Sequence, residues 1–381
     1  MRSNSTITDI KGNKQGTLIL EGLKGALWYV SKSGDVELIS SGGVASVSVG
    51  EAHAAILFSS GNVGMFYTYG DKAQQPSQWE WIGQFGVGVK PEYVSGVMMT
   101  DLQEVTDLSC GNSFTMALRS DGMLLAAGDN SSGVFGNGTY SAYKRDGVFQ
   151  AVQRDVVGVT AGSDWCFVKK NDGLLYKTGS NNRYECGDKA GGSRRDEPCL
   201  PALVGIPDAV ISTNVGRSIA IDNNGDVWHT GCGMGRDNWP VGYHLRRRTE
   251  WELVPELHLK SALVGLKCET MAINHDGEIL SCGTGNTRKF GQWHTGDSHL
   301  FGNRLFGEQI ALTPNASFVK ADGVWLSSYE KNPHGGLSLR DDPEGWSYEV
   351  MLHPADWIQV SSLQNLGINE EDAVRAAIAL A

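Results

Sequence analysis

Short β-prone runs separated by glycine-marked turns fill most of the chain, and they recur at a fixed period. In residues 105–138, VTDLSCGNSFTMALRSDGMLLAAGDNSSGVFGNG, the apolar positions gather in VTDLSC, FTMAL and MLLAAG, and Asp121-Gly122 forms a turn between the last two. Equivalent turn glycines fall at Gly173, Gly225 and Gly277, at intervals of 51, 52 and 52 residues. A second glycine follows each of the four turns six positions later, at Gly128, Gly179, Gly231 and Gly283. A period near fifty residues built from short strands predicts small antiparallel sheets arranged as a propeller or solenoid.

Weaker copies flank this series. Residues 17–40 carry a compressed copy with a turn at Ser33-Gly34, and residues 44–70 carry another with its turn at Gly61. The last copy, after Phe318, is the most altered and turns at Glu344-Gly345. Seven turn glycines result, and the reading is an all-β, seven-bladed β-propeller over residues 17–363. A single copy has two apolar faces and no core, so packing copies radially is what buries them. The ring then needs a closure, for which WIQVSS at 357–362 or the strand at 17–20 supplies a terminal strand. Residues 1–16 are polar and read as an N-terminal arm. Residues 364–381 change period: Asn369 is a good N-cap, Glu370, Glu371 and Asp372 occupy a first turn, and Val374, Ile378 and Leu380 share an apolar face. This predicts a short C-terminal α-helix.

Composition narrows the function classes. Forty-nine glycines in 381 residues is roughly twice the average usage, and they cluster at turns. A net charge of −11 argues against a general nucleic-acid binder, whose phosphate contacts need Lys and Arg. No apolar run has the length of a membrane helix, and MRSNSTITDIKGNKQ lacks the apolar core of a signal peptide. The seven cysteines are odd in number and contain no C-x-x-C pair, which predicts buried thiols, with Cys110, Cys166 and Cys268 in or beside strands. These features place the chain inside the cell.

Catalytic signatures are not found: there is no Walker loop, G-x-S-x-G or H-E-x-x-H. His294, Asp297 and His299, and the acidic turn Asp341, Asp342 and Glu344, read as chance spacing and solvated charge, so no metal and no cofactor is expected, and no enzyme activity. Candidate partner contacts are the aromatics of the long excursion at 71–103, Trp79, Trp81, Phe85 and Tyr93, because loops on a rigid scaffold carry binding. To these are added Arg246, Arg247 and Arg248, beside Glu250 and Glu252 that also suit a local ion cluster, then Trp325 and Tyr329, and Val374 and Ile378 of the terminal helix.

The repeat resembles that of the regulator of chromosome condensation family, in which a strand leads to G-x-x-H, an apolar run ending in A-L, a D-G turn, a strand ending in W-G, and N-x-x-G-Q-L-G. The third copy carries Gly111, Ala117-Leu118, Asp121-Gly122, Gly128, Asn130, Gly133, Phe135-Gly136 and Gly138. The family histidine is present at His53, whereas Phe114, Trp165, Arg217 and Glu269 occupy its place in the next four copies. The resemblance implies a seven-bladed propeller that offers surfaces rather than a reaction centre. The reading is a non-catalytic protein-interaction or structural module with protein partners, one form of it a subunit of a large assembly such as a virus particle. Alternatives implied by the family are guanine-nucleotide exchange on a small GTPase, or enzyme inhibition by one propeller face. Light sensing is set aside, because Gly111–Asn–Ser–Phe–Thr115 and Gly162–Ser–Asp–Trp–Cys166 lack the family's Gly-Trp-Arg-His-Thr.

Overall fold

A computed structural model describes residues 7–68, 83–87, 96–140, 147–187, 200–231, 248–282, 306–327 and 358–360, apart from 23, 33–34, 207–208, 215, 266–269, 314–316 and 323. These residues form an all-β protein of repeated antiparallel sheets. Five sheets have four strands each, and a sixth has six. In the six-stranded sheet the strand Arg248–Val264 serves two repeats. Its first part pairs with Asp226–Gly231 and its second with Thr270–Asn274, with no loop between. The predicted turn glycines that are described, Gly61, Gly122, Gly173, Gly225 and Gly277, all have positive φ. At Gly122 the amide donates to the Arg119 carbonyl at 3.0 Å, closing a tight turn that needs the left-handed conformation.

The first strand of each repeat lies nearest the axis. Ile7–Gly12, Val44–Val49, Val105–Cys110, Val156–Ala161, Ala209–Asn214, the end of Arg248–Val264 and Gln309–Leu312 touch in that order, and the last touches the first. The hydrophobic core is accordingly divided into clusters between neighbouring sheets. Tyr29 meets Phe66 between the first and second, Phe114 meets Cys166 between the third and fourth, and Met271 meets Val319 between the sixth repeat and the last sheet. The closing cluster joins Ile7, Ile10 and Trp28 to Phe318 and Trp325. This is a β-propeller.

The axial strands bury residues three apart rather than two, as in Val44 and Val47 or Val156 and Val159. The reason is a bulge: pairing slips between Val44 and Ser46 and between Val156 and Gly158, so one extra residue re-aims those beyond it. Hydroxyls then tie strand to strand around the axis. The amides of Cys110, Ala161 and Val264 donate to the Oγ of Ser48, Ser109 and Ser212 in the preceding repeat, at 2.9, 2.8 and 2.9 Å.

Three expectations change. Residues 7–12, drawn as part of an arm, are the axial strand of the first sheet, since Ile7 and Ile10 fill the closing cluster. Residues 17–20 are internal to that sheet, within Gly16–Glu21. Closure needs no exchanged strand, because Ile358–Val360 pairs within the last sheet and the ring closes by side-chain packing. The predicted terminal helix, with Val374 and Ile378, lies outside the described residues.

Candidate functional site

At one end of the ring, each axial strand turns into the next strand through a short loop, at residues 13–15, 50–52, 111–113 and 162–164. The loop is closed by an amide three residues before the carbonyl it bonds: Asn13 to Gly16, Gly50 to His53, Gly111 to Phe114 and Gly162 to Trp165. A Cβ on Gly50, Gly111 or Gly162 would lie 2.2, 2.0 or 2.2 Å from the ring of His53, Phe114 or Trp165. The glycine is there because a ring lies flat on it. In the first sheet the arrangement is inverted, with Asn13 in the glycine's place and Gly16 in the ring's.

The rings also explain the loss of the family histidine. His53 Nε2 lies 3.0 Å from Thr115 Oγ1 of the next sheet, and that hydroxyl donates to the Gln84 carbonyl at 2.9 Å. The hydroxyl proton being committed, Thr115 accepts from Nε2–H and fixes the tautomer. Trp165 does the same work with its indole N–H, which donates to Thr213 Oγ1 at 2.9 Å; Thr213 meets Ser218, whose hydroxyl donates to the Glu185 carbonyl. Phe114 has no N–H to give, and the next sheet offers it Cys166 where Thr115 stood. The drift at this position is therefore paired with its neighbour.

Burial holds His53 neutral, lowering its pKa from 6.5 to about 4. Because the unfolded chain takes up the proton first, stability is complete above pH 6.5 and falls as pH drops from 6.5 toward 4, by roughly 3 kcal/mol in all. His53→Phe, copying the third repeat, is expected to remove that part of the pH dependence in urea titrations at pH 7 and pH 4.5.

Over these loops lies the connection after the third strand of the second, third and fourth sheets. Gly83-Gln84-Phe85-Gly86, Gly133-Val134-Phe135-Gly136 and Tyr184-Glu185-Cys186-Gly187 are the same turn, each closed by its last amide on its first carbonyl at 3.0, 3.1 and 2.9 Å. Asn130 and Asn181 brace the turn by accepting the Phe135 and Cys186 amides, both at 2.9 Å. Tyr184 holds φ 62° where the other turns have glycine. Tyr184→Gly is therefore expected to stabilise the protein by about 0.5–1 kcal/mol in equilibrium unfolding.

Between these turns and the axial loops runs a groove of about 470 Å³, continuous through Glu51, Asn112 and Ser163 with an axial cavity of about 700 Å³. Serines 113, 131, 132, 163 and 180 line it, with Asp129, Asp164 and Glu185. Glu185 is 2% exposed and accepts the Arg183 amide at 2.6 Å. Burial pushes the carboxyls of Asp164 and Glu185 up from the usual range, against opposing hydrogen bonds from the Ser180 hydroxyl and the Arg183 amide respectively. Neither makes a close ion pair among the described residues, but Arg183 also lines the groove and its charge draws both carboxyls back down. At the rim Lys14 meets Glu51 at 3.0 Å. The groove is thus a polar, acidic concavity suited to a cationic side chain of a partner. Among the described residues no three His, Cys, Asp or Glu side chains are placed to share a metal ion. Three thiols among the described residues are buried and poorly nucleophilic: burial pushes Cys110 up to about 11 and raises Cys166 and Cys186 as well.

Of the predicted contact residues, Phe85 and Trp325 are buried, 1% exposed each. Phe85 packs with Met65 and Leu108 and meets the His53 ring edge-on at 5.9 Å. Its GQFG sequence was the signal that it belongs to the repeat and not to the excursion. Trp325 fills the closing cluster. Arg248 pairs with Glu252 at 2.7 Å, the local ion cluster of the alternative reading. Trp79, Trp81, Tyr93, Arg246, Arg247 and Tyr329 lie outside the described residues, as do His294, Asp297, His299, Asp341, Asp342 and Glu344. The groove itself escaped sequence reading, because its residues come from turns of four sheets.

Comparison with known proteins follows the same repeat. Residues 105–134 match the regulator of chromosome condensation (RCC1) repeat. Protein pim1 of Schizosaccharomyces pombe is 24% identical over 271 residues, 65% of this chain and 48% of pim1. The E3 ubiquitin-protein ligase HERC2 of Mus musculus is 24% identical over 315 residues, 78% of this chain and 6% of HERC2. The chain thus spans about half of one relative and a small part of the other. Yeast RCC1 (Prp20), in its structure bound to Kap60, superposes with a TM-score of 0.63 at 17% identity, covering 81% of this chain and 78% of Prp20. The repeat match at 105–134 and the ring of antiparallel sheets agree: the chain carries a repeat of the regulator of chromosome condensation type and shares the propeller fold of Prp20.

Proposed function

We propose that this chain is a seven-bladed propeller without catalytic activity that binds a protein partner through the acidic groove and the axial mouth beside it. The observation that carries the reading is the excess of carboxyls in an open groove, where Glu51, Asp129, Asp164 and Glu185 face a single described cation, Arg183. Arg183 offsets part of this negative charge, and a partner's Lys or Arg side chain complements the rest. Yeast Prp20, the structural relative, has been described with its binding to Gsp1p and histones, and with Kap60 bound, which supports a protein as the ligand class. The form of this reading that makes the chain a subunit of a virus particle drew on an arm and a terminal helix. Residues 7–12 of the arm are an axial strand, and the helix lies outside the described residues.

Cross-linking mass spectrometry of complexes isolated at native abundance tests the proposal. Partner cross-links are expected at Lys14, on the groove rim, and their loss in Asp164→Arg but not in Lys320→Glu. Cross-links unchanged by Asp164→Arg would refute it.

The second reading is nucleotide exchange on a small GTPase, which the family resemblance favours. It would use the same face to stabilise a nucleotide-free partner. Nucleotide release measured across a panel of small GTPases decides it, and no acceleration by this chain removes it.

A further inference from the structure

Two Asn-Gly pairs occur in the chain, Asn137-Gly138 and Asn224-Gly225. In such a pair the backbone nitrogen of the glycine can attack the asparagine side chain, because no Cβ crowds its approach. The fold holds the two pairs in opposite ways. At Asn224 the glycine is pinned. The Gly225 amide donates to the Asp222 carbonyl at 2.9 Å, and the Gly225 carbonyl accepts from the Leu259 amide at 2.9 Å. Asp222 Oδ1 also takes the amides of Asn224 and Asp226, at 2.9 and 3.0 Å, which locks the turn. Gly225 is buried, with the His275 ring packed on it.

At Asn137 the glycine is free and the side chain is held. Gly138 makes no backbone hydrogen bond among the described residues. Asn137 Oδ1 accepts two hydrogen bonds, from the Thr139 amide at 3.1 Å and from the Thr139 hydroxyl at 2.7 Å. That hydroxyl is oriented in turn by Asn130, whose Nδ2 donates to Thr139 Oγ1 at 3.2 Å and to the Thr139 carbonyl at 2.8 Å. Two donors on one carbonyl oxygen draw electrons from Asn137 Cγ. They also stabilise the negative charge that reaches Oδ1 when a nucleophile adds to that carbon.

We infer that Asn137 is a site of self-catalysed deamidation, and that Asn224 is protected from the same reaction. The Gly138 amide loses its proton to solvent base, and its nitrogen bonds to Asn137 Cγ. The tetrahedral centre carries its charge on Oδ1, where the two Thr139 donors receive it. It collapses by breaking the Cγ–Nδ2 bond, and Nδ2 takes a proton from water and leaves as ammonia. Water then opens the five-membered imide at either carbonyl, to aspartate or to isoaspartate. Isoaspartate places one extra methylene in the backbone between residues 137 and 138. That shifts Thr139 away from Asn130, whose Oδ1 holds the Phe135 amide of the groove turn at 2.9 Å. The reaction needs no partner in the groove, so it stands or falls independently of the proposal above.

Incubation of the full chain at mildly alkaline pH tests it, with both asparagines followed by peptide mapping and by isoaspartyl methyltransferase labelling. In the folded chain, conversion at Asn137 is expected to run at least tenfold faster than at Asn224. In urea the two rates should agree within about threefold, because the fold no longer distinguishes them. Thr139→Val removes the O–H donor and is expected to slow conversion at Asn137 at least fivefold. This is less than the loss of an enzyme's oxyanion donor, because the Thr139 amide remains. Thr139→Ser should restore the rate. If Thr139→Val lowers melting, the comparison of folded chain with urea carries the test by itself. Equal conversion at the two asparagines in the folded chain overturns the inference, as does a difference that persists in urea. So does a folded Thr139→Val variant that reacts at Asn137 as fast as the original chain, or faster.

Discussion

Trp325→Ala is expected to be the most damaging single truncation, lowering stability by about 3–5 kcal/mol and loosening the ring at one seam. The other inter-sheet clusters join repeats that are consecutive in the chain. The cluster around Trp325 joins the two ends, and its indole N–H donates to the Ile7 carbonyl at 3.0 Å across 318 positions. No covalent connection keeps these sheets adjacent, so side-chain packing and this hydrogen bond offset the entropy of closing so long a loop. Equilibrium urea unfolding gives the size of the loss. Amide exchange shows where it falls: protection should drop first in Ile7–Gly12 and Ser317–Ala321, the strands on either side of the seam. Trp325→Phe keeps most of the packing and loses the hydrogen bond, and a loss of about 1–2 kcal/mol is expected. Uniform loss of protection across all sheets would show that the seam is no weaker than the rest.

Gly111→Ala should lower stability by about 3 kcal/mol, more than an alanine for glycine change in an exposed loop. Its added methyl would lie 2.0 Å from Phe114 Cε1, and Phe114 is buried with Met116 and Cys166 around it. No positive φ is involved at Gly111, so the penalty is steric and traceable to one ring. A double-mutant cycle with Phe114→Ala isolates it: the two changes should be strongly non-additive, with coupling above about 1 kcal/mol. Additive losses would mean that glycine is needed there for some reason other than the ring.

Both results bear on what was legible. The turn glycines and their period could be read directly, because a D-G turn needs a residue that tolerates positive φ and the need recurs in each copy. Gly111, Gly162 and the large residue three positions later are also visible, although the change from His53 to Phe114 and Trp165 has no local explanation in the sequence. It is compensated across sheets, by Thr115, Cys166 and Thr213, and residues about fifty positions apart show that only when packed together. Phe85 shows a different failure. Its aromatic excursion invited a surface role, while its GQFG turn was the local signal that placed it in the core.

The chain by itself determined the repeat unit, its strands and its turns, since these rest on local backbone conformation and on which side chains avoid water. Only the tertiary structure decided how the unit closes, because the seam at Trp325, the bulged axial strands and the hydroxyl ladder depend on neighbours that the sequence does not place side by side. The same holds for the groove. Asp164 and Glu185 are ordinary loop carboxylates in the sequence, and come to line one groove only when the turns of neighbouring sheets pack around them.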